Sequence, residues 1–171
     1  NMKIVIGIDV GISTTKIIGI NEEGRVLSPI RIRATDPVTS LYGAFGKYLY
    51  DNKIQLDDVE KVMLTGVGAA YIDKAVYGLP TGKSEEFIAN GLGARYETDQ
   101  KRMMVVSMGT GTSIVKCDQD SIMHVGGIGI GGGTLQGLSR LLLNTDDIKQ
   151  VAALAEHGDL SHINVLISDI S

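Results

Sequence analysis

The sequence predicts an α/β protein built from two copies of one βββα unit, with a cleft between the halves. Three observations carry this. "KIVIGID", Lys3 to Asp9, opens a run of three strand-like stretches joined by short turns and followed by a helical pattern. From Arg102 onward "MMVVSMG", "TSIVKCD" and "SIMHVGG" repeat that rhythm. The 22 glycines cluster where the predicted strands end, as expected of a site assembled from turns.

Each element follows from its residues. "TKIIGIN", Thr15 to Asn21, is the second strand, and "RVLSPIRIRA", Arg25 to Ala34, the third. Pro29 has no N–H to give a ladder, so that third strand belongs at an edge or a bulge. Asp36-Pro37 opens a helix over Val38 to Tyr50, with Leu41, Phe45, Tyr48 and Leu49 on one face. "EKVMLTG", Glu60 to Gly66, is a fourth strand, parallel to the first because a helix precedes it. Ser84 is the expected cap of a helix from Glu85 to about Tyr96. In the second half, helices are expected over about Gly132–Leu143 and, capped by Thr145, over Asp146–Glu156. A last helix is expected near Ile163–Ile170. The domain division is 1–100 and 101–171, with the second half reading as incomplete because no closing parallel strand follows.

Composition narrows the function classes. The net charge of −4 argues against a general nucleic-acid or anionic-membrane surface, while leaving room for a local phosphate site. The single cysteine, Cys117, excludes an internal disulfide framework and an iron–sulfur cluster built from this chain's own thiols. No apolar run reaches the roughly 20 residues of a membrane span. "MKIVIGID" turns acidic too early for a signal peptide, so a cytoplasmic location is expected. Asn1 ahead of Met2 reads as a tag remnant.

The chemistry sits in the glycine turns. In "GIDVGISTTK", Asp9 ends a strand, Gly11 permits a tight return, Ser13, Thr14 and Thr15 offer hydroxyls and N–H groups, and Lys16 follows. Such a hairpin can hold phosphate oxygens. A carboxylate beside it can hold hydrated Mg²⁺, which makes Asp9 the candidate metal residue. "MGTGTS", Met108 to Ser113, occupies the equivalent place in the second half, with Thr110, Gly111 and Thr112 as a second phosphate hairpin. Gly131-Gly132-Gly133-Thr134 lies at a helix start, where free N–H groups favour an anion and missing Cβ atoms let a ligand approach. "GLPTGKS", Gly78 to Ser84, imitates the end of a P-loop, but Tyr77 stands where that motif needs glycine. The carboxylates of Glu85 and Glu86 have two readings: helix-dipole complement, or general base for a substrate hydroxyl.

These residues resemble a known family. The paired hairpins are similar to the acetate and sugar kinase, heat-shock chaperone and actin superfamily, whose duplicated ribonuclease H-like (actin-like ATPase) domains hold a nucleotide between them. Within it, "MGTGTSIVKCDQDSIMHVGGIGIGGGTLQGLSRLL" followed by "AEHGD" resembles the type II pantothenate kinases. The resemblance implies Mg·ATP-dependent phosphorylation of pantothenate, the first step to coenzyme A, by a homodimer. It implies that Asp9, Gly11, Ser13, Thr14 and Lys16 meet the phosphates and Mg²⁺. It implies that Thr110, Gly111, Gly131, Gly132, Gly133, Thr134 and Gln136 meet ATP, and that Thr112 and His124 face the substrate. It also favours Glu86, in "EFIA", as the base, with Glu85 second. Two positions depart from the family pattern. Ile12 replaces a glycine of the first loop. His124 replaces an arginine expected to meet the pantothenate carboxylate, which keeps pantetheine open as acceptor. Other members of the superfamily supply the alternatives: a dehydratase-activating ATPase, whose shared cluster needs cysteines absent here, an actin-type nucleotide switch, or a kinase-like pseudoenzyme.

Overall fold

The computed structural model describes residues 3–33 and 35–170. Its first sheet begins with β1, Ile4–Val10, and β2, Thr14–Asn21, paired antiparallel over seven positions from Ile4 opposite Asn21 to Val10 opposite Thr15. β3, Ile30–Arg33, adds to β2, and β4, Val59–Thr65, lies parallel to β1. A short β5, Thr81–Lys83, extends β4, giving the order β3-β2-β1-β4-β5. β3 is shorter than the predicted Arg25–Ala34 strand. The Asn21 side chain draws in the N–H groups of Glu23 and Arg25, and Val26 makes only an isolated bridge to Ile20. The ladder starts after Pro29, at the sheet edge that this proline requires. Ala34, the last residue of the prediction, lies outside the described residues.

Alternation decides what each sheet face meets. Ile4, Ile6, Ile8 and Val10 point to one side with Ile17, Val62 and Leu64, all at most 1% exposed. Helix α1, Pro37–Asn52, covers that side. Its Leu41, Ala44, Phe45 and Tyr48 follow helical spacing and are 0% exposed. Asp36 caps it, accepting from the N–H groups of Val38 and Thr39.

The opposite face carries Gly7, Asp9, Lys16, Ile18, Met63 and Thr65 and meets helix α2, Glu86–Thr98. Ser84 does not cap α2. Its N–H donates to the carbonyl of Leu64 at 2.9 Å, which ties Ser84 to the end of β4 and leaves Glu85 as the N-cap, with no side-chain cap bond. Further along α2, a Cβ on Gly91 would lie 2.6 Å from Ile122 Cγ2 and 3.1 Å from Cys117 Sγ. Glycine is therefore required where the helix packs on the following strands.

Those strands, β6 (Met103–Met108), β7 (Thr112–Cys117) and β8 (Ile122–Ile128), form a sheet in the order β6-β7-β8. Helices α3, Gly132–Leu143, and α4, Ile148–Glu156, follow. The cap of α4 is Asp147, accepting from the N–H groups of Lys149 and Gln150, while Thr145 accepts from the N–H of Asp147 just ahead of the helix. The helix expected near Ile163–Ile170 is replaced by 3₁₀ turns at Leu160–His162 and Ile167–Asp169. Carboxylates of Asp159 and Asp169 bond neighbouring backbone N–H groups there, which favours tight turns over a continuing helix.

The chain divides into two compact units. The first comprises Asn1–Ser107 and Ser113–Gly126, the second Met108–Thr112 and Gly127–Ser171. This division groups most of β6–β8 with the first sheet and its helices, across the 100/101 boundary drawn from the sequence.

Candidate functional site

In the first unit the chemistry gathers at the C-terminal ends of β1 and β4. Asp9 faces Lys16 directly across the β1–β2 pair, and Lys16 Nζ lies 2.9 Å from Asp9 Oδ2. The turn between them is closed by the Gly11 N–H donating to the Thr14 carbonyl at 3.0 Å. A Cβ on Gly11 would fall 2.6 Å from that oxygen, so the tight return needs glycine. Ile12 and Ser13 stand exposed at its tip. After β4, Gly66 holds φ at +85°, and a Cβ there would lie 2.4 Å from Asp9 Oδ1. The backbone at the end of β4 thus packs directly on the Asp9 carboxylate.

A cavity of about 410 Å³ opens between this sheet face and α2. Asp9, Lys16, Thr65, Ser84, Glu86 and Asn90 lie around it with Ile18, Ile30 and Met63, and the surface it presents is mainly apolar. Strand periodicity orders these residues. Two residues inward, Asp9 gives way to Gly7, Lys16 to Ile18, and Thr65 to Met63. On α2, Glu86, Ala89 and Asn90 share one face by i, i+3, i+4 spacing. Glu86 lines the cavity, whereas Glu85 is the exposed cap residue outside it. Thr65 and Asn90 are among its lining residues, and their Oγ1 and Nδ2 atoms are fully buried without a hydrogen-bond partner.

Neither residue was singled out from the sequence. Both were within reach: Thr65 is the register partner of Asp9, and Asn90 lies one helical turn beyond Glu86. His124 is exposed on β8, its ring centroid 6.1 Å from that of Phe87, the residue after Glu86. It is not a lining residue of the cavity.

The second unit holds the other two turns together. The Gly132 N–H donates to the Gly109 carbonyl at 2.8 Å, and the Thr112 hydroxyl to the Ile130 carbonyl at 2.7 Å. A Cβ on Gly131 would lie 2.7 Å from the Thr110 carbonyl oxygen and 2.8 Å from that of Gly109. The backbone of the Gly109–Gly111 hairpin is therefore packed against Gly131. Gly133 and Thr134 lie in the first turn of α3, which has no side-chain cap on its N-terminal N–H groups. Thr134 donates weakly to the Gly129 carbonyl, at 3.5 Å. Gln136 turns toward the α3–α4 connection, with Nε2 3.5 Å from the Asp146 carbonyl, and Thr110 is exposed.

A sheet of antiparallel meander plus parallel strand, with a helix on each face and a tight glycine hairpin at the C-terminal end of its central strand β1, is the architecture of the actin-like ATPase fold. Solved structures agree. The activator of 2-hydroxyisocaproyl-CoA dehydratase from Clostridium difficile with bound ADPNP superposes with a TM-score of 0.72 at 14% identity, over 91% of this chain and 57% of that one. Within that fold the chain is similar in sequence to proteins named type II pantothenate kinase. It is 32% identical to the enzyme of Staphylococcus aureus strain RF122 over 170 residues, covering 96% of this chain and 59% of that protein. It is 28% identical to the enzyme of Bacillus cereus strain AH820 over 175 residues, covering 99% of this chain and 60% of that protein. The family model described as Fumble matches residues 87–171. The chain spans about 60% of the length of these curated relatives.

Proposed function

We propose that this protein phosphorylates the primary hydroxyl of pantothenate with ATP, the first step toward coenzyme A. The observation that carries the reading is one mainly apolar cavity with both the Asp9–Lys16 pair and Glu86 around it. Lys16 and the N–H groups of the Gly11–Thr14 turn, with Ser13, hold phosphate oxygens. In the second unit Thr110, Gly111, Gly131, Gly132, Gly133, Thr134 and Gln136 are the proposed nucleotide contacts. Thr112 and His124 are proposed substrate contacts, Thr112 through a hydroxyl lone pair, since its proton is committed to Ile130.

Mg²⁺ fits the donor set. Among the described residues no three His, Cys, Asp or Glu side chains converge, and a single carboxylate suits a cation held mainly by phosphate and water. Asp9 is that carboxylate, and the bound ion would neutralise charge on the transferring group. Glu86 orients the acceptor hydroxyl and takes its proton as the oxygen attacks the γ-phosphorus and the bond to ADP breaks. The reading carries with it a cytoplasmic homodimer that engages neither nucleic acid nor membrane. No helix among the described residues is long and apolar enough to cross a bilayer.

His124 favours a second reading. A neutral imidazole is a poorer carboxylate partner than a guanidinium fork, so pantetheine, which lacks the carboxylate, is the alternative acceptor. Coupled ADP release from the full-length protein, with pantothenate, pantetheine or neither, decides. Stimulation by pantothenate supports the first reading and stimulation by pantetheine alone the second. ATP binding with no stimulation by either would point to a nucleotide switch.

A further inference from the structure

We infer that Gly66 is a positioning residue: its bare backbone holds the Asp9 carboxylate in place for hydrated Mg²⁺. The inference rests on the reading of Asp9 as the metal carboxylate of the proposed kinase site. β1 and β4 are parallel, so the chain leaving β4 emerges beside the end of β1, where Thr65 is the register partner of Asp9. Gly66 then turns that chain across β1. Its φ of 85° and ψ of 161° fall in a region that glycine alone enters readily. Its carbonyl accepts from the Ala69 N–H at 3.1 Å, which opens the 3₁₀ turn Val67–Tyr71. Gly68, inside that turn, lies against Val10, where a Cβ would be 2.6 Å from Val10 Cγ1. The turn is therefore seated on Asp9 and Val10, the last two residues of β1.

That seat fixes Asp9 from two sides. On one, Lys16 Nζ donates to Oδ2 at 2.9 Å. On the other, a Cβ at Gly66 would overlap Oδ1 and fall 2.6 Å from the Val10 carbonyl oxygen, so Oδ1 packs on Gly66 with no room for a side chain between them. A carboxylate held at both oxygens resists rotation about its last bond. Its side chain is still 26% exposed, which leaves an approach from solvent. Mg²⁺ demands near-ideal octahedral geometry and keeps several of its waters. A lone carboxylate that receives those waters serves the ion only while its oxygens stay in place. Any side chain at position 66 would displace the carboxylate without removing its charge.

The test is calorimetric titration of the full-length protein with ADP, in excess Mg²⁺ and again in EDTA, for wild type, Gly66→Ala and Asp9→Glu. Wild type should bind ADP more tightly with Mg²⁺ than without. In Gly66→Ala that advantage should shrink by about tenfold or more, the usual cost of losing a group that orients a metal ligand, while the affinity in EDTA is unchanged. A merely structural glycine would lower the two affinities alike, and that result overturns the inference, as does a Gly66→Ala protein that keeps the full Mg²⁺ advantage. Asp9→Glu decides if Gly66→Ala does not fold. It keeps the charge but adds a methylene where the turn leaves no space, so it too should lose the advantage, and an advantage equal to wild type overturns the inference. If wild type gains nothing from Mg²⁺, the inference falls with the metal role of Asp9. If Gly66→Ala loses an advantage that wild type shows, yet neither pantothenate nor pantetheine stimulates ADP release, the kinase reading fails while Gly66 keeps its role.

Discussion

Asp9 and Lys16 form the ion pair nearest the proposed chemistry, yet it contributes little to stability. Lys16 is 52% exposed and Asp9 26%, and pairs this wet contribute about 0–1 kcal/mol. Lys16→Met should accordingly leave Tm within a degree or two while lowering kcat strongly, since a cation aimed at phosphate acts mainly in the transition state. Equal losses of stability and activity would mean that the pair is a fold element instead. Glu86 gives the complementary case. It is exposed and its side chain makes no hydrogen bond among the described contacts, so Glu86→Gln should fold as wild type. Its turnover should fall by about 10²–10⁴-fold, the usual range for a lost general base. Wild-type turnover in Glu86→Gln would remove it from the mechanism. Asp9 and Lys16 are marked as candidates by strand-end and turn signals, whereas Glu86 stands out only through the family resemblance, because its spacing alone fits a helix-dipole complement equally well. Asn90 and Thr65 were not picked out because an amide on a helix and a threonine on a strand look ordinary until the fold sets both residues beside one cavity.

Elements depend on their ends, and two ends here make predictions. Thr39 and Val38 hold the Asp36 carboxyl below its ordinary value of 3.8, chiefly through bonding to Thr39. A folded-state pKa that is lowered means the unfolded chain binds the proton more readily. The contribution of Asp36 is then fully present above the ordinary value and is lost as pH falls through the folded one. In a plot of Tm against pH, Asp36→Asn should flatten the acid limb below about pH 4 and change little at neutral pH beyond the lost charge. An unchanged acid limb would show that the cap does not couple to protonation. At α3 the constraint is steric. Gly131→Ala places a methyl group against two backbone carbonyl oxygens that cannot swing away. It should destabilise the second unit by about 1–3 kcal/mol, as overpacking does, and raise the KM for ATP more than that for the acceptor. The glycine run was conspicuous in the sequence. Its packing against a second glycine hairpin was not, since the contact joins Gly109–Gly111 to residues some twenty positions later. The boundaries that failed have the same origin. Ser84, Thr145 and the 163–170 segment carry good local cap or helix signals, and each yields to a neighbouring residue or a tertiary hydrogen bond.

At the scale of the whole molecule, burial is unevenly shared. The hydrophobic core is one cluster belonging to the first unit, built from β1, β2, β4, α1 and the turns that follow β4. In the second unit Ser139 and Val151 are the buried residues among those described. The α3 leucines at 135, 138, 141, 142 and 143 are 48–78% exposed. Local opening is resisted by buried apolar contact, so resistance should follow this division. Hydrogen exchange on the 171-residue chain should protect the amides of β1, β4 and α1 most, near the global unfolding limit. The amides of α3 and α4 should exchange at least about tenfold faster, because opening them exposes little that was not already wet. Phe45→Ala, which empties a fully buried ring site, should cost about 3–5 kcal/mol. It should accelerate exchange throughout the first sheet while leaving α3 and α4 nearly as they were. Protection in α3 equal to that in β1 would mean that the two units open as one, and that the leucines of α3 are covered in solution.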